Sequence, residues 1–471
     1  MTVHECACTM GSMAYRSATW VSLGLLLCAS CSTTITDAEG LRAALGDAAS
    51  GDVIVVAAGS YEGPFDVRPG VTVEGQGVGL TTVVAPADLT AITLQPGASE
   101  PTGLRNLTVI AAGRWAVSAR GPGEVSLEDV DLSVPARGAG FGAEGVTALT
   151  LRRVRATGPV QSTDMPGATP STSETGTHGV DVFDVGSALF DEVSIRGFAV
   201  VGSLLVRSTV VWQGGSIRET AGAGLFALGG TTSLMGTEIQ GVFAPSPGQP
   251  TFGVIGLGSA ELNTIDATVA DSEGRGLFLG TASGTHSGLT LMGNQRAGLW
   301  MQNVSDFSAV DTTAMGNGVA GVVVRMSSNV SFDGLTVGDT QTRRTTNLAG
   351  SDIMVGDGLQ IIDSLTDLVL QNASVMNNGR VGLLLDAMES DLSSTTLEDI
   401  VIEGTGSQLG AVMQGASVPG WDDGITRMGE TAINDEALTA DLDLVGVVAP
   451  ADLPLSGAAT AGIEEVVAPA D

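Results

Sequence analysis

Short runs of apolar residues recur along this chain, each opened by a glycine: Gly253-Val254-Ile255, Gly276-Leu277-Phe278-Leu279, Gly298-Leu299-Trp300-Met301, Gly321-Val322-Val323-Val324, Gly358-Leu359-Gln360-Ile361 and Gly382-Leu383-Leu384-Leu385. Weaker copies begin at Gly179, Gly202, Gly224 and Gly410. From Gly179 onward the steps are 23, 22, 22 plus an insertion of 7, 23, 22, 23, 37, 24 and 28 residues. A fixed period in the twenties, lengthened in a few turns, is the signature of a solenoid. Alternation by two predicts one short strand per turn, with Gly+1 and Gly+3 on one face and Gly+2 on the other. The first face reads Leu277/Leu279, Leu299/Met301, Val322/Val324, Leu359/Ile361 and Leu383/Leu385, a continuous core column. A leucine-rich repeat would carry a fixed Asn or Cys among its leucines, and a helical repeat would show a 3.6-residue period; neither appears. The pattern predicts an all-β chain wound as a parallel β-helix.

Two further features make the prediction specific. Asn294, Asn317 and Asn378 each stand four residues before a repeat glycine. The segment Leu41 to Tyr61, followed by Val71-Thr-Val-Glu-Gly-Gln-Gly77, runs from helix-forming residues into the first apolar alternation. The asparagine column resembles the asparagine ladders of right-handed parallel β-helix proteins, and the opening segment is similar to that of pectin-lyase-like domains. That resemblance implies a right-handed coil whose open end is closed by a short helix. Thr36 and Glu39 supply a capping-box spacing for it. Such a cap is needed because a bare terminal rung offers unpaired backbone to other chains. The resemblance covers residues 36 to 416 and speaks to fold alone, since the same scaffold carries lyases, hydrolases, adhesins and inert spacers.

Along the chain, strands are expected at Asp52 to Val56, Val71 to Val73 and Leu104 to Ile110, with turn glycines and prolines between them. Three interruptions stand out: Gly158 to Thr177, Gly241 to Thr251 and Gly338 to Asp357. Past residue 416 the repeat fades into an acidic tail, 417 to 471, which holds two copies of Val-Val-Ala-Pro-Ala-Asp, at 447–452 and 466–471, matching 83–88.

The first thirty residues read as a leader. Met13 and Arg16 precede an apolar run from Ala18 to Leu27, too short to span a bilayer. The run ends in Leu27-Cys28-Ala29-Ser30-Cys31, which resembles a bacterial lipoprotein processing site with Cys31 as the lipidated residue. Ser32 after it implies an outer-membrane destination in a Gram-negative cell, with a secreted protein as the alternative. The domain reading is therefore a leader at 1–30, a β-helix at 31–416 and the acidic tail. All four cysteines, Cys6, Cys8, Cys28 and Cys31, lie at or before the cleavage point, so neither a disulfide framework nor a cysteine-ligated metal is expected in the mature chain.

Net charge is −32, and every basic residue is arginine. That excludes nonspecific nucleic-acid binding and disfavours anionic polymers unless a cation bridges them. Missing lysine removes one of the usual bases for proton abstraction, leaving arginine as the cationic option.

Candidate chemistry is sparse. The Gly+2 column, Asp181, Leu204, Phe226, Ile255, Phe278, Trp300, Val323, Gln360, Leu384 and Val412, is apolar where water is expected. Either the tail, an insertion or another protomer covers it, or Phe226, Phe278 and Trp300 form a stacking track for sugar rings. Asparagines repeating at the strand spacing read as structural. Carboxylates are abundant, so pairs arise by chance; Asp129/Asp131, Asp181/Asp184 and Asp422/Asp423 could supply the two carboxylates of a glycosidase or oxygen ligands for Ca²⁺. Polygalacturonase-type enzymes of the resembling fold show Asn-Thr-Asp, Asp-Asp and Gly-His-Gly in that order; here no Asn-Thr-Asp is present and His178 precedes the Asp-Asp, so the match fails. His178 and His286 both follow Gly-Thr but make no metal site by themselves. For a Ca²⁺-assisted lyase the candidates are Asp181, Asp184, Arg296 and Arg380, the two arginines each lying two residues before a repeat glycine. Negative findings favour a non-catalytic envelope lipoprotein, held to the membrane by its lipid, that acts as a scaffold or as a binding module for a glycan or protein. The competing class is a polysaccharide lyase or glycoside hydrolase. No cofactor is required beyond the Ca²⁺ of that alternative, no nucleic acid is expected as a partner, and the sequence does not determine oligomeric state.

Overall fold

The computed structural model describes residues 34–434 except 87–88, 112–113, 136–137, 160–177, 246–248, 347–351, 364–366, 387–393, 405–408, 415–421 and 430–432. The leader with Cys31, most of the insertion at 158–177 and nearly all of the tail therefore lie outside the described residues.

The chain forms a right-handed parallel β-helix of about 13 turns. A typical turn is built from three strands, Arg275–Gly280, Gly284–Ser287 and Thr290–Met292, each pairing in parallel with its counterpart one turn on. Stacking therefore generates three sheets, here sheets 1, 2 and 3 in chain order. Corners between strands are made by single residues in the left-handed region: Asp271, Gly293, Gly316, Asp339 and Asn377 hold φ of 54°, 66°, 66°, 52° and 51° at one corner in successive turns. Gly, Asn and Asp tolerate that region best, so the corner chemistry is written along the sequence at the period of the coil.

Inside the coil, the predicted column of Leu277, Leu299, Val322, Leu359 and Leu383 is buried and belongs to one continuous core. The asparagine column lies inside too. Asn294 Nδ2 donates to Asn317 Oδ1 at 3.0 Å, and Asn317 Nδ2 donates to the Leu291 carbonyl at 3.1 Å. This row explains the repeat glycine. A Cβ on Gly276 would stand 2.6 Å from the Asn294 amide nitrogen, and one on Gly298 would stand 2.7 Å from that of Asn317. Each asparagine fills the space its neighbouring turn leaves by lacking a side chain. Asn378 is equally buried, but the turn before it places Thr340 in the row, and neither the Thr340 hydroxyl nor the Asn378 amide has a hydrogen-bond partner.

The cap is present as helix α1, Ala38–Asp47, which packs Leu41 and Leu45 against the core. Its N-cap is Asp37, whose carboxylate accepts from Gly40 N at 2.7 Å, so the box expected from Thr36 and Glu39 does not form. A carboxylate at the cap also suits the positive end of the helix dipole. Tyr61 ties the cap to the first turn, its hydroxyl donating toward the Ile35 and Ala57 carbonyls. The far boundary also needs correction. Ile425–Gly429 pairs with Ile400–Gly404, and Ile433–Asn434 pairs with Ala411 and Val412, so the coil continues beyond residue 416 without its glycine motif.

Candidate functional site

Sheet 1 carries the outward column that the repeat predicted, but on a wider face. Its strand pairing skips the repeat glycine: Phe252 pairs with Arg275 and Val254 with Leu277. Across that break the residue at Gly−1 joins Gly+2 and Gly+4 on the outside. A second apolar cluster results, separate from the core, containing Val201, Leu204, Phe226, Phe278, Trp300 and Val323 among others.

This face is not wet. Phe226, Phe278 and Trp300 are 0%, 4% and 4% exposed, so the rings proposed as an open sugar track are covered. Part of the cover is an insertion, as one of the sequence alternatives held. Within the insertion, Arg343–Thr346 pairs antiparallel with Asp352–Val355, and Val355 packs into the apolar cluster.

At either side of the apolar stretch the same face turns polar. His178 (Gly−1) and Asp181 (Gly+2) are both buried, and His178 Nδ1 donates to the Asp181 carboxylate at 2.9 Å. Burial is the largest single influence on the imidazole and opposes its charge. The charge of Asp181 and its hydrogen bond together outweigh that and hold the His178 pKa above its ordinary value. Three turns beyond Arg275, the Gly−1 and Gly+2 positions reappear as Asp357 and Gln360. Asp357 is fully buried, accepts from the Arg380 guanidinium at 2.7 Å and from the Gln360 amide, and so neutralises a cation brought from the next turn.

The catalytic candidates are thereby scattered. Asp181 is engaged with His178. Asp184 sits past the strand with a half-exposed side chain, and the Arg207 guanidinium grips both its oxygens at 2.7 and 2.8 Å, which holds its carboxyl below the usual range. Arg380 is bound to Asp357, while Arg296 is exposed. Asp129 is likewise held by Arg153, and among the described residues no three of His, Cys, Asp and Glu converge to hold a metal. His286, the second Gly-Thr-His, points into the core instead. Its ring stacks on Phe307 at 4.8 Å, its Nδ1 shares a hydrogen bond with the Thr264 hydroxyl at 2.9 Å, and burial lowers its pKa to about 3.

One residue of this face was not singled out from sequence. Arg275 occupies Gly−1 between Phe252 and the Ala297 turn, is 3% exposed, and lies over the rings of Trp300, Phe252 and Phe278 at 4.5, 5.6 and 5.6 Å. Reading the Gly−1 column alongside Gly+2 would have found it, because Arg275 is the basic residue in a row that runs Val201, Ala223, Phe252, Arg275, Ala297, Ala320.

This architecture defines the class: a right-handed parallel β-helix. Residues 252–419 match the family described as right handed beta helix region. No curated protein matches the sequence. Among solved structures, the A-module of the mannuronan C-5 epimerase AlgE4 of Azotobacter vinelandii is 16% identical, covers 73% of this chain and 92% of its own, and superposes with a TM-score of 0.42. Tailspike protein 3 of bacteriophage CBA120 is 12% identical over 72% of this chain and 54% of its own, with a TM-score of 0.40. The catalytic unit of an α-1,3-glucanase from Streptomyces thermodiastaticus strain HF3-3 is 14% identical over 85% and 68%, with a TM-score of 0.38. At these identities and scores no residue role is carried across.

Proposed function

We propose that the chain is a cell-envelope scaffold or binding module, presenting its coil to a glycan or protein partner, rather than an enzyme. The observation that carries this reading is the commitment of the charged candidates to one another's neighbours. Asp181 serves His178, Asp184 serves Arg207 and Arg380 serves Asp357. Arg296 and Arg380 stand three strand steps apart, about 14 Å. A glycosidase needs two carboxylates facing one bond across roughly 5–9.5 Å, and a lyase needs a base and a cation on one sugar. Three of the four candidates are already neutralised in separate pairs, and Arg296, exposed on its own, supplies neither.

In this reading Cys31 carries the lipid, and the outer membrane is the location, with secretion as the alternative. The test is metabolic labelling of the full chain in a Gram-negative host with a palmitate analogue. Label in the membrane fraction that Cys31→Ser abolishes is expected; an unlabelled wild-type chain rejects the anchor.

A second reading, a polysaccharide lyase or glycoside hydrolase, has one specific support: the buried His178–Asp181 pair immediately after the insertion at 158–177. Incubation with acidic and neutral polysaccharides, with and without Ca²⁺, separates the two. New reducing or unsaturated ends would overturn the scaffold reading, and none are expected.

A further inference from the structure

Several arginines in this protein are matched to acids one turn away: Arg153 to Asp129, Arg196 to Glu219, Arg207 to Asp184 and Arg380 to Asp357. Acids outnumber bases, with 52 acidic side chains against 20 basic ones. Arg275 breaks the pattern. It is among the most deeply buried of the described arginines, and among the described residues it makes no ion pair and its Nε has no hydrogen-bond acceptor. The indole N–H of Trp300, whose ring lies against the guanidinium, also lacks an acceptor. A buried guanidinium must be paired or hydrogen-bonded to offset the loss of water, and cation–π contacts offset only part of it.

The surroundings deepen the deficit. Arg296, one turn on, is close enough for its charge to act on Arg275, and together with burial, the larger influence, it lowers the Arg275 pKa to about 9. Arg343 of the hairpin comes within reach of the same corner: its Nε lies 2.8 Å from where a Cβ of Gly318 would stand, and Gly318 N donates to the Arg296 carbonyl at 2.9 Å. Neither Arg296 nor Arg343 has an acidic partner among the described residues.

We propose that Arg275 and the Trp300 indole N–H form a receptor for a carboxylate, seated among the rings of Phe252, Phe278 and Trp300 with Arg296 and Arg343 at its rim. The planar guanidinium fork fits two carboxylate oxygens, and the rings fit the carbon body behind them. Two sources share that chemistry. One is an exogenous acidic ligand. The other is the chain itself, whose residues 435–471 carry eight acidic side chains and no basic one. From Asn434 to the Arg275 turn is six strand steps, about 29 Å. A span of 37 residues covers that distance several times over when extended, at about 3.3 Å per residue. The inference rests on the reading of this face as a binding face, yet it is tested without any glycan, so the two fail separately.

The experiment is thermal unfolding of the full chain at pH 7 in sodium acetate against sodium chloride of equal ionic strength. It compares wild type, Arg275→Met, Arg275→Lys, and a variant whose eight carboxylates in 435–471 are changed to amides. A ligand that binds only the folded state raises its midpoint. If the carboxylate is exogenous, acetate raises the wild-type midpoint by roughly 2 °C or more, Arg275→Lys responds less because it lacks the fork, and Arg275→Met does not respond. If the chain supplies its own carboxylate, wild type is unresponsive, the amide variant responds, and Arg275→Met in that background does not. An acetate response equal in wild type and Arg275→Met, or none in either wild type or the amide variant, overturns the proposal.

Discussion

His178 and His286 sit in the same tripeptide, Gly-Thr-His, and both are buried, yet their surroundings differ. His178 faces outward from sheet 1 onto a carboxylate; His286 faces inward from sheet 2 onto a hydroxyl and a phenyl ring. Depth disfavours the charged imidazole in both places. Only at His178 does a partner exceed that penalty, so its pKa rises while that of His286 falls to about 3. The lesson is that burial sets the cost of charge and the nearest partner sets the outcome. The two histidines therefore give stability opposite dependences on pH. For His286 the unfolded chain takes its proton near 6.5 and the folded chain not until about 3, so its contribution is full above 6.5 and is lost as pH falls through that window. For His178 the folded value lies above the unfolded one, so its contribution is full below 6.5 and is lost as pH rises through the folded value.

The strongest way to break this comparison is at His286. Each pH unit below its unfolded pKa costs about 1.4 kcal/mol, so it removes on the order of 3–5 kcal/mol by pH 3. His286→Phe keeps a ring against Phe307 and cannot be protonated. Urea unfolding between pH 7 and 3.5 should show the variant gaining on wild type steadily as pH drops, and parallel curves would refute the assignment. Next in size is Asp181→Asn, which leaves His178 buried beside a neutral amide and should cost about 3 kcal/mol at pH 6. The His178 ring signals, followed by NMR, should then titrate at lower pH than in wild type; an unchanged midpoint would mean that Asp181 does not hold the proton there. The smallest effect is expected at Asp184, the other carboxylate of the same sequence pair. Its side chain is 49% exposed, so Asp184→Asn should cost under about 1 kcal/mol and should matter less in high salt. Equal losses at Asp181 and Asp184 would show that depth does not separate the two.

Much of the coil was legible because its rules are periodic. Gly+1 and Gly+3 faced inward as alternation requires, and Asn294 stacked on Asn317 as their spacing implied. What escaped were facts that depend on one turn's departure from the period. Counting strictly by two from the repeat glycine puts Gly−1 on the inner face, and the backbone break at that glycine turns it outward; hence Arg275 was passed over in favour of Arg296 and Arg380. His178 and His286 could not be told apart by their neighbours in sequence, because one lies at Gly−1 of sheet 1 and the other in the middle of sheet 2. Thr36 was read as the helix start from its spacing to Glu39, whereas the chain caps the helix with the next residue, Asp37. The charged candidates were chemically reasonable one at a time. Their partners, brought from 3 to 23 residues away, decided what each could do.

The break in the buried amide row at Thr340 has a mechanical meaning. Turns of a solenoid hold to their neighbours alone, so a load along its axis is borne by every interface in series and the coil parts at the weakest. Between Asn317 and Asn378 the internal rail is interrupted, and it is there that the chain leaves the stack to build the hairpin. At that interface the turns are held by strand pairing and core packing without the amide row, so under load the coil is expected to part there first.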